Sequence, residues 1–126
     1  MATGKPASSK AGDDERRARR AAAQTVFDGL ADGYVAKPDV NRGLMFGSMG
    51  LRKGEKFFAF VGRAGDLVAK LPEEQAAELV ARGEAKAVKA GRNPTREWVS
   101  VPLGADGDAM RWRELLGAAY QYAAGR

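Results

Sequence analysis

The chain contains no cysteine and no histidine. Without cysteine there is no disulfide, no thiolate nucleophile and no cysteine-held zinc. Without histidine, the side chain best suited to moving protons near neutral pH is missing. Ser-His-Asp catalysis, HExxH zinc chemistry and histidine-held haem are therefore excluded. No apolar run approaches the ~20 residues that span a bilayer, and the opening MATGKPASSK lacks the apolar stretch of a signal peptide. The expectation is a cytoplasmic protein without cofactor, metal or membrane partner, and not an enzyme.

What remains is an ordinary globular composition, 44% apolar and 29% charged over 126 residues, enough for one domain with a single core. The net charge of +5 is unevenly spread: residues 1–20 carry six Lys/Arg against three acids, and the rest fifteen against thirteen. A basic balance of this kind is compatible with nucleic-acid binding without demanding it.

Residues 1–12 are small, polar and contain Pro and Gly, and are expected to form a disordered tail ahead of a single domain over 13–126. From Asp13 a helix is predicted, with Asp13, Asp14 and Glu15 at its positive end and Gly33 as its stop. Ala23, Val26, Phe27 and Leu30 form its apolar stripe, and Tyr34 packs beneath its end. A second helix opens at Pro72, has Ala76, Leu79 and Val80 inward and ends at Gly83. A third begins near Asp106 or Asp108 and carries Trp112, Leu115, Leu116, Ala119, Tyr120 and Ala123 at helical spacing. Strand signals lie at LMFGSMGL, KFFAFVG, DLVAKL, AKAVKA and EWVSVPL, with Pro102 at a strand end or edge. Tight turns between consecutive strands force antiparallel pairing. The fold class is therefore α+β, with a five-stranded antiparallel sheet in the order α-β-β-β-α-β-β-α.

Gly43, Gly47, Gly50 and Gly54 invite a phosphate-loop reading, but their spacings of four, three and four match neither GxxxxGK nor GxGxxG. A strand pattern, KFFAFVG, follows them where a phosphate loop needs a helix. Gly54 instead suits a hairpin turn, while Gly47 and Gly50 suit a bulge or the close approach of another backbone.

Met45-Phe46-Gly47, Gly50-Leu51, Lys53-Gly54, Phe58-Ala59 and Leu67-x-x-Lys70-Leu71 together resemble the N-terminal domain of the TfoX/Sxy family. Gly91-Arg92-x-Pro94-x-x-Glu97-Trp98-Val99 is similar to the GRPMxEWV segment of its stand-alone members. Ser48 stands where that family has the second glycine of MFGG. The resemblance spans about residues 40–124. It implies a compact α+β fold akin to YjbR-like and secretion-chaperone-like proteins, pairing as a homodimer by analogy with the latter, and an association with bacterial competence regulation. No catalytic residues come with it.

Two basic sets are candidate contacts. Arg16, Arg17, Arg19 and Arg20 either touch a phosphate backbone or decorate a solvated helix face through Asp13–Arg17 and Glu15–Arg19 pairs. Arg52, Lys53, Lys56, Lys70, Lys86, Lys89, Arg92 and Arg96 either share a face with Trp98 stacking bases, or keep strand edges from pairing. Trp98, Trp112, Tyr120 and Tyr122 read as core rather than as a pocket. Asp106 and Asp108 read as a cap rather than a calcium loop, and the adjacent Glu73 and Glu74 point to different helix faces. The expected function is a binding or regulatory module acting through an unknown protein partner. The alternative is a nucleic-acid-binding domain using the basic helix and sheet cations.

Overall fold

Helix periodicity in the first third of the chain and strand alternation in the middle meet in one core. The computed structural model describes residues 4–45, 48–90, 93–104 and 109–125. Among these, the elements run α1 (Gly4–Val35), β1 (Val40–Met45), β2 (Ser48–Lys53), β3 (Lys56–Val61), β4 (Leu67–Lys70), α2 (Glu73–Ala81), β5 (Lys86–Ala90), β6 (Asn93–Val101) and α3 (Met110–Ala124). The strands form one antiparallel sheet in the order β1-β2-β3-β4-β6-β5.

The sheet has six strands rather than the five that the sequence pattern predicts. The segment LMFGSMGL belongs to two strands, paired so that Met45 faces Ser48 and Gly43 faces Gly50. The first of them escapes pattern reading because Val40, Asn41 and Arg42 show neither apolar alternation nor β-branched enrichment beyond Val40.

Alternation along the central strands divides the sheet faces. Leu67 and Ala69, and Val99 and Val101, join the core with Leu51, Phe58, Ala59 and Val61. Helix α1 contributes Ala23, Phe27 and Ala31 to this core, α2 contributes Ala76, and α3 contributes Trp112, Leu115, Leu116 and Ala119. The indole of Trp112 donates to the carbonyls of Val101 and Pro102 at 3.0 and 3.1 Å, tying α3 to the end of β6. Phe60 and Val68, on the opposite side of their strands, are buried outside that cluster, and Trp98 leans on Phe60 with ring centroids 5.8 Å apart.

Helix boundaries shift in ways the local chemistry explains. Helix α1 starts at Gly4, ahead of the acidic trio, so residues 4–12 continue the helix where a tail is expected. Pro6 falls in the first turn, where its missing N–H removes no helical bond. The helix also runs through Gly33 to Val35, without a left-handed residue there. Helix α2 stops as predicted: Gly83 takes φ 75°, its N–H reaches the Val80 carbonyl, and that of Glu84 reaches Leu79. That bond pair is the Schellman arrangement. Val80, expected inward, is 38% exposed, and Ala76 alone of that stripe is fully buried. The predicted start of α3 at Asp106 or Asp108 lies outside the described residues; the helix reads from Met110.

The glycines divide by role. Gly54 takes φ 65° at the first central position of the two-residue turn between Lys53 and Lys56, the position that hairpin turns reserve for glycine. Gly50 is a close-approach site, since a Cβ there would stand 2.7 Å from the Ala59 carbonyl oxygen and 2.8 Å from the Phe60 Cβ. The sheet irregularity falls between Leu51 and Arg52, one step beyond Gly50. Gly47, the other expected bulge position, lies outside the described residues.

Candidate binding site

Antiparallel order brings the last residue of β2, the first of β3 and the last of β4 to one end of the sheet, where the C-terminal turns of α3 arrive. There Lys53, Lys56 and Lys70 line an open cleft of about 410 Å³. Phe58, Ala119 and Ala123 supply apolar surface, and Asp39, Glu55 and Tyr122 complete the polar rim. This volume lies within the ~300–1,000 Å³ of small-ligand pockets.

Each cation is placed by a separate constraint. Lys53 and Lys56 face each other across the Gly54–Glu55 turn, a like-charge cross-strand pair that by itself disfavours folding. The Lys53 ammonium donates to the Pro38 carbonyl at 3.2 Å and lies 3.8 Å from an Asp39 carboxylate oxygen. Asp39 holds φ 62°, a left-handed conformation that aspartate tolerates better than most residues. Its carbonyl accepts from the Gly54 N–H at 2.8 Å, which fixes the 37–39 turn against the hairpin. Lys70 approaches Glu97 at 3.9 Å, and the Tyr122 hydroxyl donates to the same carboxylate. Lys56 is exposed and makes no ion pair among the described residues.

Behind the cleft, Tyr34 and Tyr120 lie 5.5 Å apart and Tyr120 meets Phe58 edge-on at 6.1 Å. The Lys37 ammonium rests 5.2 Å above the Tyr120 ring. Tyr122, read as core from the sequence, instead lines the cleft, and Glu97 is marked in the sequence only by the resembling segment. Tyr122 follows the α3 stripe by register but is only half-buried, and Glu97 precedes Trp98 in the resembling segment.

The other sequence candidates disperse. Arg52 turns to Asn41, donating at 2.8 Å, and lies 5.7 Å from the Phe57 ring. Arg96 approaches Glu73 at 3.4 Å beside α2, where with Trp98 it borders a separate groove. Lys86 and Lys89 are exposed on edge strand β5. Arg92 lies outside the described residues. Arg16, Arg17, Arg19 and Arg20 lie on α1 near the β3–β4 turn, where Arg19 covers Gly65. Five residue steps of β3 separate that end from the cleft, roughly 17 Å at strand rise. Of the sheet cations weighed as sharing a face with Trp98, Lys53, Lys56 and Lys70 thus gather at the cleft, whereas Arg96 borders the groove beside Trp98. Among the described residues, no group of three or more acids can hold a metal ion, and no helix is long and apolar enough to cross a membrane.

A family model described as the TfoX N-terminal domain matches residues 36–123, well over half of the chain. No curated protein and no solved structure matches it.

Proposed function

The chain belongs to the TfoX N-terminal domain family, and from that premise we propose that it is a non-enzymatic, regulatory binding module acting through protein contacts at the cleft. One observation carries this reading. Lys53, Gly54, Phe58 and Lys70, four of the dispersed residues by which the chain resembles the family, line one cleft, and Glu97, a fifth, is held beside it by Lys70 and Tyr122. Residues separated by up to 44 positions converge there, which a purely local packing role for each does not require.

The cleft chemistry specifies the partner feature. Its apolar surface accepts a hydrophobic side chain, and Lys56, with Lys53 opposite it, offers cationic donors to a carboxylate. A peptide segment with an acidic group beside an apolar one meets both demands. Interfaces of this type place their energy in a few such anchors.

A photo-crosslinking residue at Ala123, which lines the cleft, tests the reading in lysate of the source cells. The expected result is discrete protein adducts that disappear when excess unlabelled chain is added and persist when the competitor is K53E/K56E. A crosslinker at Leu44, at the opposite end of the β1–β2 ribbon, serves as the control. Adducts at Ala123 no different from those at Leu44 overturn it.

A further inference from the structure

Helix α1 lies outside the matched range, and it carries the most concentrated charge of the chain. Residues 13–19 are all exposed, and from Gly12 onward the first fully buried residue of the helix is Ala23. The helix therefore runs on past the core. At about 100° per residue, Arg16 and Arg20 continue the stripe of Ala23, Phe27 and Ala31, with Arg19 and Arg17 on either side. The face that buries alanine and phenylalanine over the sheet becomes an arginine face where the sheet ends.

Arg19 of that face meets the β3–β4 turn, which carries both Arg63 and Asp66, while Asp13 shares the face with Arg16. Gly65, at φ 84° and buried, leaves room for α1: an added Cβ would lie 3.2 Å from both the Cγ and the carbonyl oxygen of Arg19. Arg63, in the same turn, is exposed. Among the described residues, Arg17 and Arg19 enter no ion pair. Arg16 pairs with Asp13 at 2.7 Å, but both side chains are more than 60% exposed, and such pairs contribute little. The Asp13–Arg17 and Glu15–Arg19 pairs that a solvated face would favour do not form among the described residues.

From this geometry we infer that the arginine face of α1 binds the phosphate backbone of nucleic acid, without sequence preference. Two other occupants fit the surface less well. A helix lying on a membrane needs large apolar side chains on one face, and residues 4–20 contain none. A protein partner is anchored by tryptophan, tyrosine and arginine packed into a desolvated centre, and this stretch offers arginine alone, with no aromatic or large apolar side chain to enclose it. Regularly placed guanidinium groups suit phosphates, which they contact in forked pairs. The inference is independent of the cleft.

The test is fluorescence anisotropy of the full chain with a labelled duplex of arbitrary sequence, titrated across salt. Three or four phosphate contacts predict a log–log salt slope of about −3, so affinity falls roughly 40- to 150-fold between 50 and 200 mM salt. Replacing Arg16, Arg17, Arg19 and Arg20 with Ala removes the binding, replacement with Lys retains the slope, and K53A/K56A leaves it unchanged. Circular dichroism confirms that each variant is folded. The inference is overturned by no titration at tens of micromolar chain, by equal binding of the Ala variant, or by a salt-independent signal. Equal affinity for polyglutamate of matched charge also overturns it, as does equal affinity for phosphatidylserine vesicles.

Discussion

Replacing Gly50 with alanine is predicted to destabilise the fold, although glycine to alanine in a strand ordinarily helps. The added Cβ would stand 2.7 Å from the Ala59 carbonyl oxygen and 2.8 Å from the Phe60 Cβ. Neither neighbour can swing aside: Ala59 and Phe60 are buried on β3, which is paired on both sides by β2 and β4. Overpacking of this kind costs about 1–3 kcal/mol. Against it, alanine restricts the unfolded chain and returns about 0.4–1 kcal/mol. The contact is with backbone, so the upper part of the range applies, and the net loss is about 2 kcal/mol. For a chain of this length that lowers the melting midpoint by roughly 5–10 °C. Gly33→Ala is the internal control. It lies within α1, is exposed, has no left-handed φ and meets nothing within 4 Å. It should raise stability by up to about 1 kcal/mol. Scanning calorimetry of the two variants with the parent reads both signs. A Gly50→Ala midpoint at or above the parent's would refute the close-approach argument.

Three further perturbations have defined outcomes. Gly65→Ala places a side chain at φ 84° against Arg19; left-handed backbone alone costs about 1–2 kcal/mol, and urea melts should show at least that loss. Trp112→Phe removes the donor to the Val101 and Pro102 carbonyls from a fully buried site; a loss of about 2–3 kcal/mol by denaturant titration is expected, and a change below about 0.5 kcal/mol would contradict the anchoring role given to that indole. Tyr122→Phe deletes the hydroxyl that donates to Glu97; it should cost about 1 kcal/mol and weaken adduct formation at Ala123, whereas unchanged adduct yield would remove Glu97 orientation from the account.

Much of the architecture is legible where burial and local chemistry agree. Val99 and Val101 alternate with Trp98 and Ser100 and are buried as that pattern requires. Ala23, Phe27 and the α3 stripe around Trp112 likewise face the core. Gly54 and Gly83 announce their turns because each needs a positive φ. Strand β1 is hidden because its pairing with β2 is set by register rather than by an apolar run of its own. The first turns of α1 are hidden for the opposite reason, since helix that buries nothing leaves no periodic signal. Val80 has helical spacing but falls on the rim of α2.

The cleft is half legible. Lys53, Lys56 and Lys70 are visible as cations near turns, but only the order β2-β3-β4 brings their three strand ends together. Asp39, Tyr122 and Glu97 join them through a left-handed turn, a helix end and the partner strand of β4, none of which sequence spacing relates. Arg52 illustrates the converse: one residue from Lys53, it projects to the other face and packs on Phe57.

The most direct measurement compares stability with capture in a single variant, Lys56→Glu. Lys56 faces Lys53 across the hairpin, so the change converts a repulsive cross-strand pair into an attractive one, worth about 0.2–1 kcal/mol. If the cleft lysines serve a partner, the variant melts at or slightly above the parent temperature while the Ala123 adducts vanish. Adducts retained at the parent level in a folded Lys56→Glu chain would contradict the assignment of the cleft as the contact surface.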